Sequence, residues 1–418
     1  MNAMPNVDLL VIGAGPAGSA AAALARRRGW SVRVLERQQF PRFSIGESLL
    51  PQSMELLEEA GLLDAVKAFG FQYKNGAQIV RRGQVTNFEF SDKTCKGYDW
   101  TYQVTRADFD QILARGAAAQ GAEVLFGEDV LSVDFDSAGA RLVSRAADGA
   151  EREHRARFLL DGSGFARVLP RLLKLERPSG FPLRSSLFTH VQDNIREADF
   201  DREKIRVTIH PDNMEIWFWL IPLSEGRASV GVVAEDRFLG NGEDLDARLW
   251  KLVNEDPDLK RFLRNAKQLW PAKQIRGYAA SVTHLHGEHF ALLGNAGEFL
   301  DPVFSSGVTI ALKGAALAIH CLERQWRGEK VDWTRDYDQQ LMVGVDTFRG
   351  YVETWYDGAL QDVMLSEVQE PKLRAMMCSV LAGYAWDKAN PYVGHSERRL
   401  RTLAALVRQN AAAPRASA

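Results

Sequence analysis

The chain has 418 residues, enough for roughly two or three packed units. Apolar residues make up 46% and charged residues 25%, the balance of a globular protein rather than a disordered or fibrous one. The formal net charge of -2 gives no basis for a polyanion partner, so nucleic-acid binding is not expected.

Cys95, Cys321 and Cys378 are far apart and form no CxxC, so reduced thiols are expected, with neither a disulfide framework nor a zinc knuckle. The first apolar run, VDLLVIGAG, leads straight into a glycine turn. It reads as a strand and not as a signal peptide. No uncharged apolar run reaches transmembrane length, and the expectation is a soluble, cytoplasmic chain with no membrane span.

From Val7 the sequence predicts a buried strand, a turn carrying Gly13, Gly15 and Gly18, an Ala-rich helix stopped at Gly29, and a second strand ending at Glu36. This is GxGxxG spacing. The first glycine allows the tight turn, the second lets backbone approach a pyrophosphate, and the third lets helix pack on strand. The phosphates would meet free N–H groups at the helix start, and Glu36 would accept from ribose hydroxyls. By itself the fingerprint leaves FAD and NAD(P) equally open.

The next stretch, FPRFSIGESLLP (Phe40 to Pro51), is apolar, bracketed by prolines and not helical in pattern. It resembles the loop after the second strand in flavin-dependent halogenases and their relatives, which include the geranylgeranyl reductases. The resemblance implies that Glu47 and Ser48 lie along a bound FAD. Further segments resemble the same family in the same order. FQYKNGAQIV is similar to the segment whose lysine, here Lys74, is assigned to halide activation. It carries Ile79 where the pattern prefers Phe. YQVTRADFDQ is similar to an RxxFD segment whose arginine, here Arg106, touches the flavin. LLDGSGFARVL, with Asp161, is similar to a D-x-S-G segment.

Residues 217–222 read WFWLIP, a strand with Trp217, Trp219 and Ile221 on one face. They match the WxWxIP signature of the halogenases, which implies a wall between organic substrate and flavin. Aromatic alternation on a strand is equally the pattern of core packing. ALLGNAGEFLDPVFSSGVTIALKGAALA reads as a strand, a glycine loop and a helix start. Its resemblance implies that Asn295 and Asp301 bind FAD and that backbone at Ser306 and Gly307 binds halide. Asn295 replaces the usual aspartate, and Phe304 stands where tryptophan halogenases have Glu. Phenols or carrier-tethered aryl groups therefore fit better than free tryptophan. HLHGEH (His284 to His289) reads as a connecting hairpin in preference to a metal site.

The implied architecture is α/β. It is a GR2-type FAD-binding Rossmann-like fold in discontinuous residues 1–180 and 270–330. An antiparallel substrate sheet occupies 181–269, and a helical C-terminal part, 331–418, ends in a disordered tail. Phe348, Tyr351, Trp355 and Tyr356, and Met376, Met377, Val380 and Leu381, recur at helical spacing and are expected to pack on that sheet, the alternative being an apolar substrate channel or a docking face for a carrier protein. The implied activity is an FAD-dependent oxidoreductase, tryptophan-halogenase-like, using reduced FAD, O2 and halide on a small aromatic substrate. A flavin reductase and an acyl carrier protein are the implied partners. The rival chemistry on the same fold is a monooxygenase, dehydrogenase or reductase without halogenation. No metal is expected.

Overall fold

A computed structural model describes residues 2–240, 242, 244–366 and 370–412. The chain divides into two compact units. One comprises Met1–Phe71, Val104–Gly180 and Ala279–Met342; the other comprises Gln72–Gln103, Phe181–Tyr278 and Val343–Ala418.

The first unit is built on a nine-stranded sheet. Its centre is parallel: Phe290–Leu292, Glu151–Asp161, Val7–Ile12, Val32–Glu36 and Glu123–Phe126 lie side by side in that order. Val7–Ile12 and Val32–Glu36 are near-continuous apolar runs, as strands buried on both faces require. Asp129–Asp136 and Gly139–Arg145 extend Glu151–Asp161 as an antiparallel ribbon with polar alternation. Helix Pro16–Arg26 packs against helix Gly307–Trp326 and helix Arg106–Ala119. The contact surface of Pro16–Arg26 is almost wholly alanine, with Ala20 to Ala23 at most 1% exposed.

The second unit is built on an eight-stranded sheet. Lys267–Gln268, Arg184–Gln192, Arg227–Glu235, Trp217–Pro222, Lys204–Ile209, Gly76–Arg81 and Gln84–Glu89 follow one another across it. The four strands between Arg184 and Glu235 pair antiparallel, as their alternation predicts. One join departs from the expected antiparallel sheet: Gly76–Arg81 runs parallel to Lys204–Ile209. One face carries Leu187, Val191, Phe218, Leu220, Val230 and Val232 into a core closed by helices Leu245–Val253 and Pro257–Phe262. Asp244 and Asp256 cap those helices by accepting from the N–H groups of Ala247 and Leu259. The opposite face carries Trp217, Trp219, Ile221 and Phe188, all buried.

Helices Gln339–Tyr356, Ala359–Met364, Pro371–Leu381 and Ser396–Ala412 make up the C-terminal part. The aromatic stripe is packed, with Phe348, Tyr351 and Trp355 fully buried, as are Met377 and Val380. The disordered tail expected from Asn410 is corrected in part. The last helix continues through Ala412, and the remainder of the tail lies outside the described residues. Residues 284–289 form the expected hairpin, with His286–Gly287 antiparallel to Phe290–Leu292. No helix among the described residues is long and apolar enough to cross a membrane.

Trp219 lies opposite Gly231 in register. A Cβ at Gly231 would stand 2.2 Å from the indole Cζ2. Gly231→Ala is expected to destabilise the chain by about 1–3 kcal/mol through this overpacking, read as a lower urea midpoint with unchanged slope.

Candidate functional site

In the first unit the parallel strands end in one row. Leu292, Asp161, Ile12 and Leu35 are register neighbours, so Leu293, Gly162, Gly13 and Glu36 line its carboxyl edge. This is the edge where open α/β sheets bind ligands. Gly13 has φ +87°, a left-handed conformation that a side chain resists. A Cβ on Gly18 would fall 1.9 Å from the Gly13 carbonyl oxygen, so helix Pro16–Arg26 starts in direct contact with the turn. Gly15 is its N-cap, and no side chain caps it. Glu36 is 6% exposed; its carboxylate accepts from the Ala14 N–H at 2.8 Å and the Gln38 N–H at 2.9 Å. Asp161, fully buried, accepts from the N–H groups of Ser163 at 2.8 Å and Leu169 at 2.7 Å. Burial pushes its carboxyl pKa up against those two donors.

The FPRFSIGESLLP stretch is an irregular loop held by one ion cluster. Arg106, the first residue of its helix, donates from Nε and Nη2 to both oxygens of Asp110, at 2.8 and 3.0 Å. Its Nη1 donates to the Ile45 carbonyl at 2.6 Å. Arg42, within the loop, approaches the same Asp110 carboxylate at 3.1 Å. Its guanidinium lies 3.5 Å from where a Cβ on Gly15 would sit, so a cation stands against the glycine turn. The Glu47 carbonyl accepts from the Val104 N–H at 2.7 Å; the Glu47 and Ser48 side chains are buried. Sequence reasoning passed over Arg42 and Asp110. Asp110 had a signal, the Arg106/Asp110 spacing of four on a helix; Arg42 had none beyond its place in the loop.

Asn295 sits in the tight turn Gly294–Ala296, and Asp301 caps the next turn by accepting from the Val303 N–H at 3.0 Å. Phe304 is buried in that turn. Ser306 is the N-cap of helix Gly307–Trp326, and no side chain caps that end. Around Gly307 a Cβ would meet only the Phe299 ring at 3.4 Å and the Asn295 Oδ1 at 3.9 Å. The starts of helices Pro16–Arg26 and Gly307–Trp326, where anion binding is expected, both lack side-chain caps, as do the other α-helices of the first unit.

In the second unit, Lys74 closes strand Gln72–Lys74 opposite Thr101 and is 1% exposed. Its Nζ lies 5.2 Å from the Phe90 ring centroid. Burial brings its pKa from 10.5 down to about 7. Lys204 is the contrast. It is 5% exposed, but its ammonium meets Asp201 at 2.7 Å and Glu89 at 3.0 Å. Burial opposes its charge, yet those carboxylates carry its pKa upward. Trp217 donates from Nε1 to the Tyr356 hydroxyl at 2.9 Å, and Trp219 from Nε1 to the Ser229 Oγ at 3.0 Å. Both indoles are therefore fixed walls with their polar atoms satisfied.

A glycine-lined carboxyl edge with an acid closing the second strand defines a dinucleotide-binding protein. Residues 6–233 match the FAD binding domain family. Among similar proteins, the 1H-pyrrole-2-carbonyl-[peptidyl-carrier protein] brominase of Pseudoalteromonas luteoviolacea is 30% identical over 401 residues, covering 93% of this chain and 94% of that one. The corresponding chlorinase of Pseudomonas fluorescens is 27% identical over 409 residues, covering 90% and 89%. A solved flavoprotein/dehydrogenase from Cytophaga hutchinsonii is 42% identical with TM-score 0.94, covering 97% of this chain and all of that one. The chain belongs to the flavin-dependent halogenase family of FAD-binding oxidoreductases. FAD is its cofactor, and the uncapped, glycine-cradled start of helix Pro16–Arg26, with Arg42 beside it, fits a pyrophosphate.

The low pKa of Lys74 has a sign that can be measured. The unfolded lysine holds its proton up to about pH 10.5, the folded one only to about 7. Between those values the unfolded state binds more protons, so stability rises with pH across that window. Lys74→Met removes the penalty. The variant is expected to be more stable than the parent by on the order of a few kcal/mol at and below pH 7. That margin should shrink toward pH 10 in denaturation curves taken across the range.

Proposed function

We propose that this enzyme halogenates an electron-rich aromatic ring tethered to an acyl or peptidyl carrier protein. The observation that carries the reading is Lys74: an amine almost wholly removed from water, in a unit that also holds the WFWLIP strand. The carrier-tethered substrate is drawn from the pyrrolyl carrier halogenases it resembles. Phe304, in place of the Glu of tryptophan halogenases, agrees with a substrate other than free tryptophan.

Bound FAD, in its reduced form, supplies with O2 the two-electron oxidation of halide. Overall, FADH2, O2, halide, one proton and the arene give FAD, the aryl halide and two waters. In this proposal Gly13, Gly15, Gly18, Glu36, Glu47, Ser48, Arg106, Asn295 and Asp301 hold the cofactor, and the backbone at Ser306 and Gly307 receives chloride or bromide. Lys74 works at Nζ. With a pKa near 7 it is part protonated at neutral pH, so it can donate to hypohalous acid and recover the proton that leaves the ring. Trp217 and Trp219 wall the organic substrate away from the oxidant source. A separate flavin reductase supplies the reducing equivalents, and the setting is the cytoplasm.

A second reading, a flavin dehydrogenase without halogenation, is favoured by the likeness to the Cytophaga hutchinsonii flavoprotein/dehydrogenase and by Asn295 and Ile79. The two separate in one experiment. The FAD-loaded enzyme is incubated with a flavin reductase, O2, bromide or chloride and a pyrrolyl-carrier thioester. Halogenated product is expected, with Lys74→Ala losing at least about a hundredfold in product while flavin reoxidation continues. Full halogenation by Lys74→Ala would sink the lysine's role. Halide-independent turnover would move the assignment to the dehydrogenase.

A further inference from the structure

Five arginines of the described chain are more than nine-tenths buried: Arg33, Arg106, Arg167, Arg184 and Arg206. Four have a carboxylate within reach. Arg33 meets Glu123 at 2.7 Å, Arg106 meets Asp110 at 2.8 Å, Arg167 meets Glu176 at 3.1 Å and Arg206 meets Asp258 at 2.7 Å. Arg184 has no ion pair among the described residues. It is 5% exposed, and its Nε is buried without a hydrogen-bond partner. Glu235, its cross-strand neighbour, is turned to Arg237 at 3.1 Å. The guanidinium lies instead over the Tyr356 ring, Cζ 3.4 Å from its centroid. That attraction returns only part of what desolvating a permanent cation costs, and arginine cannot shed its proton.

The position of Arg184 says what the missing counter-charge belongs to. Ser186, Val233 and Trp217 stand opposite one another in register, and Arg184, two residues before Ser186, shares their face. The core of hydrophobic side chains and helices occupies the other face. Tyr356, under the guanidinium, also accepts from Trp217 Nε1 at 2.9 Å, so one tyrosine fixes both the arginine and the first indole of the WFWLIP strand. A guanidinium's planar fork matches an oxyanion, carboxylate or phosphate, which it binds in two parallel hydrogen bonds.

We propose that Arg184 is a specificity-determining residue that receives an oxyanion of the substrate on the Trp217 and Trp219 face of the sheet. This rests on the reading of that face as the substrate side. The oxyanion has two chemical sources, the carboxylate of a free aryl acid or the phosphodiester of a carrier's pantetheine arm.

The test is calorimetric titration of the FAD-loaded full chain, without turnover, with two matched pairs of ligands. One pair is pyrrole-2-carboxylate and pyrrole-2-carboxamide; the other is the pyrrole-2-carbonyl thioester of phosphopantetheine and that of pantetheine. The wild type is expected to bind the charged member of one pair at least tenfold more tightly, and the pair that responds identifies the source. Arg184→Gln should erase that preference and leave the neutral ligand's affinity within twofold. Arg184→Met keeps the packed volume without the charge; it should also lose the preference and melt no lower than the wild type. A wild type that binds both members of each pair equally overturns the proposal, as does a variant of either kind that retains the preference. Because no halogen is transferred, absence of halogenation would count against the function and leave this site standing.

Discussion

Where Gly13, Gly18 and Gly162 meet, there is room for hydrogen and nothing larger. A Cβ on Gly18 would collide with the Gly13 carbonyl, and one on Gly13 would stand 2.7 Å from the Gly162 carbonyl oxygen. This contact brings helix Pro16–Arg26 down onto the carboxyl edge of the parallel sheet, with its N–H groups directed there. The helix is then rich in alanine, with Ala20 to Ala23 fully buried, because a close start leaves little space for longer side chains where it packs on helix Gly307–Trp326. The polar residues of the unit are placed by the same edge. Glu36 and Asp161 end the strands on either side of Val7–Ile12, and each spends its carboxylate on backbone N–H groups of adjoining turns.

The second unit obeys a different constraint. Its sheet is buried on both faces, so each polar group there must find a partner in the sheet or its cover. Trp219 shows the tolerance involved. Its ring needs the absent side chain of Gly231, and its N–H needs the hydroxyl of Ser229 two residues earlier on the same strand. Lys204 and Arg206, two apart on one strand, are each matched by carboxylates from other segments, Glu89 and Asp258.

The parts of this architecture that were legible in the sequence have local causes. The Val7 to Glu36 unit declares itself because strand, glycine turn, helix and acid are consecutive. The WFWLIP alternation gives the face of each side chain without knowledge of its neighbours. The parallel join of Gly76–Arg81 to Lys204–Ile209 was invisible, since no pattern in either strand names a partner so far away in sequence. Arg42 was hidden for the same reason: its importance comes from Asp110 and Gly15, brought to it by folding. The ordered end of the last helix was misjudged because composition there, rich in alanine, serves a helix as well as a tail.

Lys74 and Arg184 pose one physical problem in two chemistries. Both are cations withdrawn from water in the same unit, and each lies near an aromatic ring, Phe90 for the lysine and Tyr356 for the arginine. An ammonium can relieve its burial by giving up a proton, and Lys74 is brought to the point where it does so near neutral pH. That readiness is what a proton-transferring group requires. A guanidinium has no such escape, since its pKa stays above about 12 in proteins. It can only acquire a negative partner. Burial therefore sorts the two residues by function: the side chain that can lose its charge suits chemistry, and the one that cannot suits recognition.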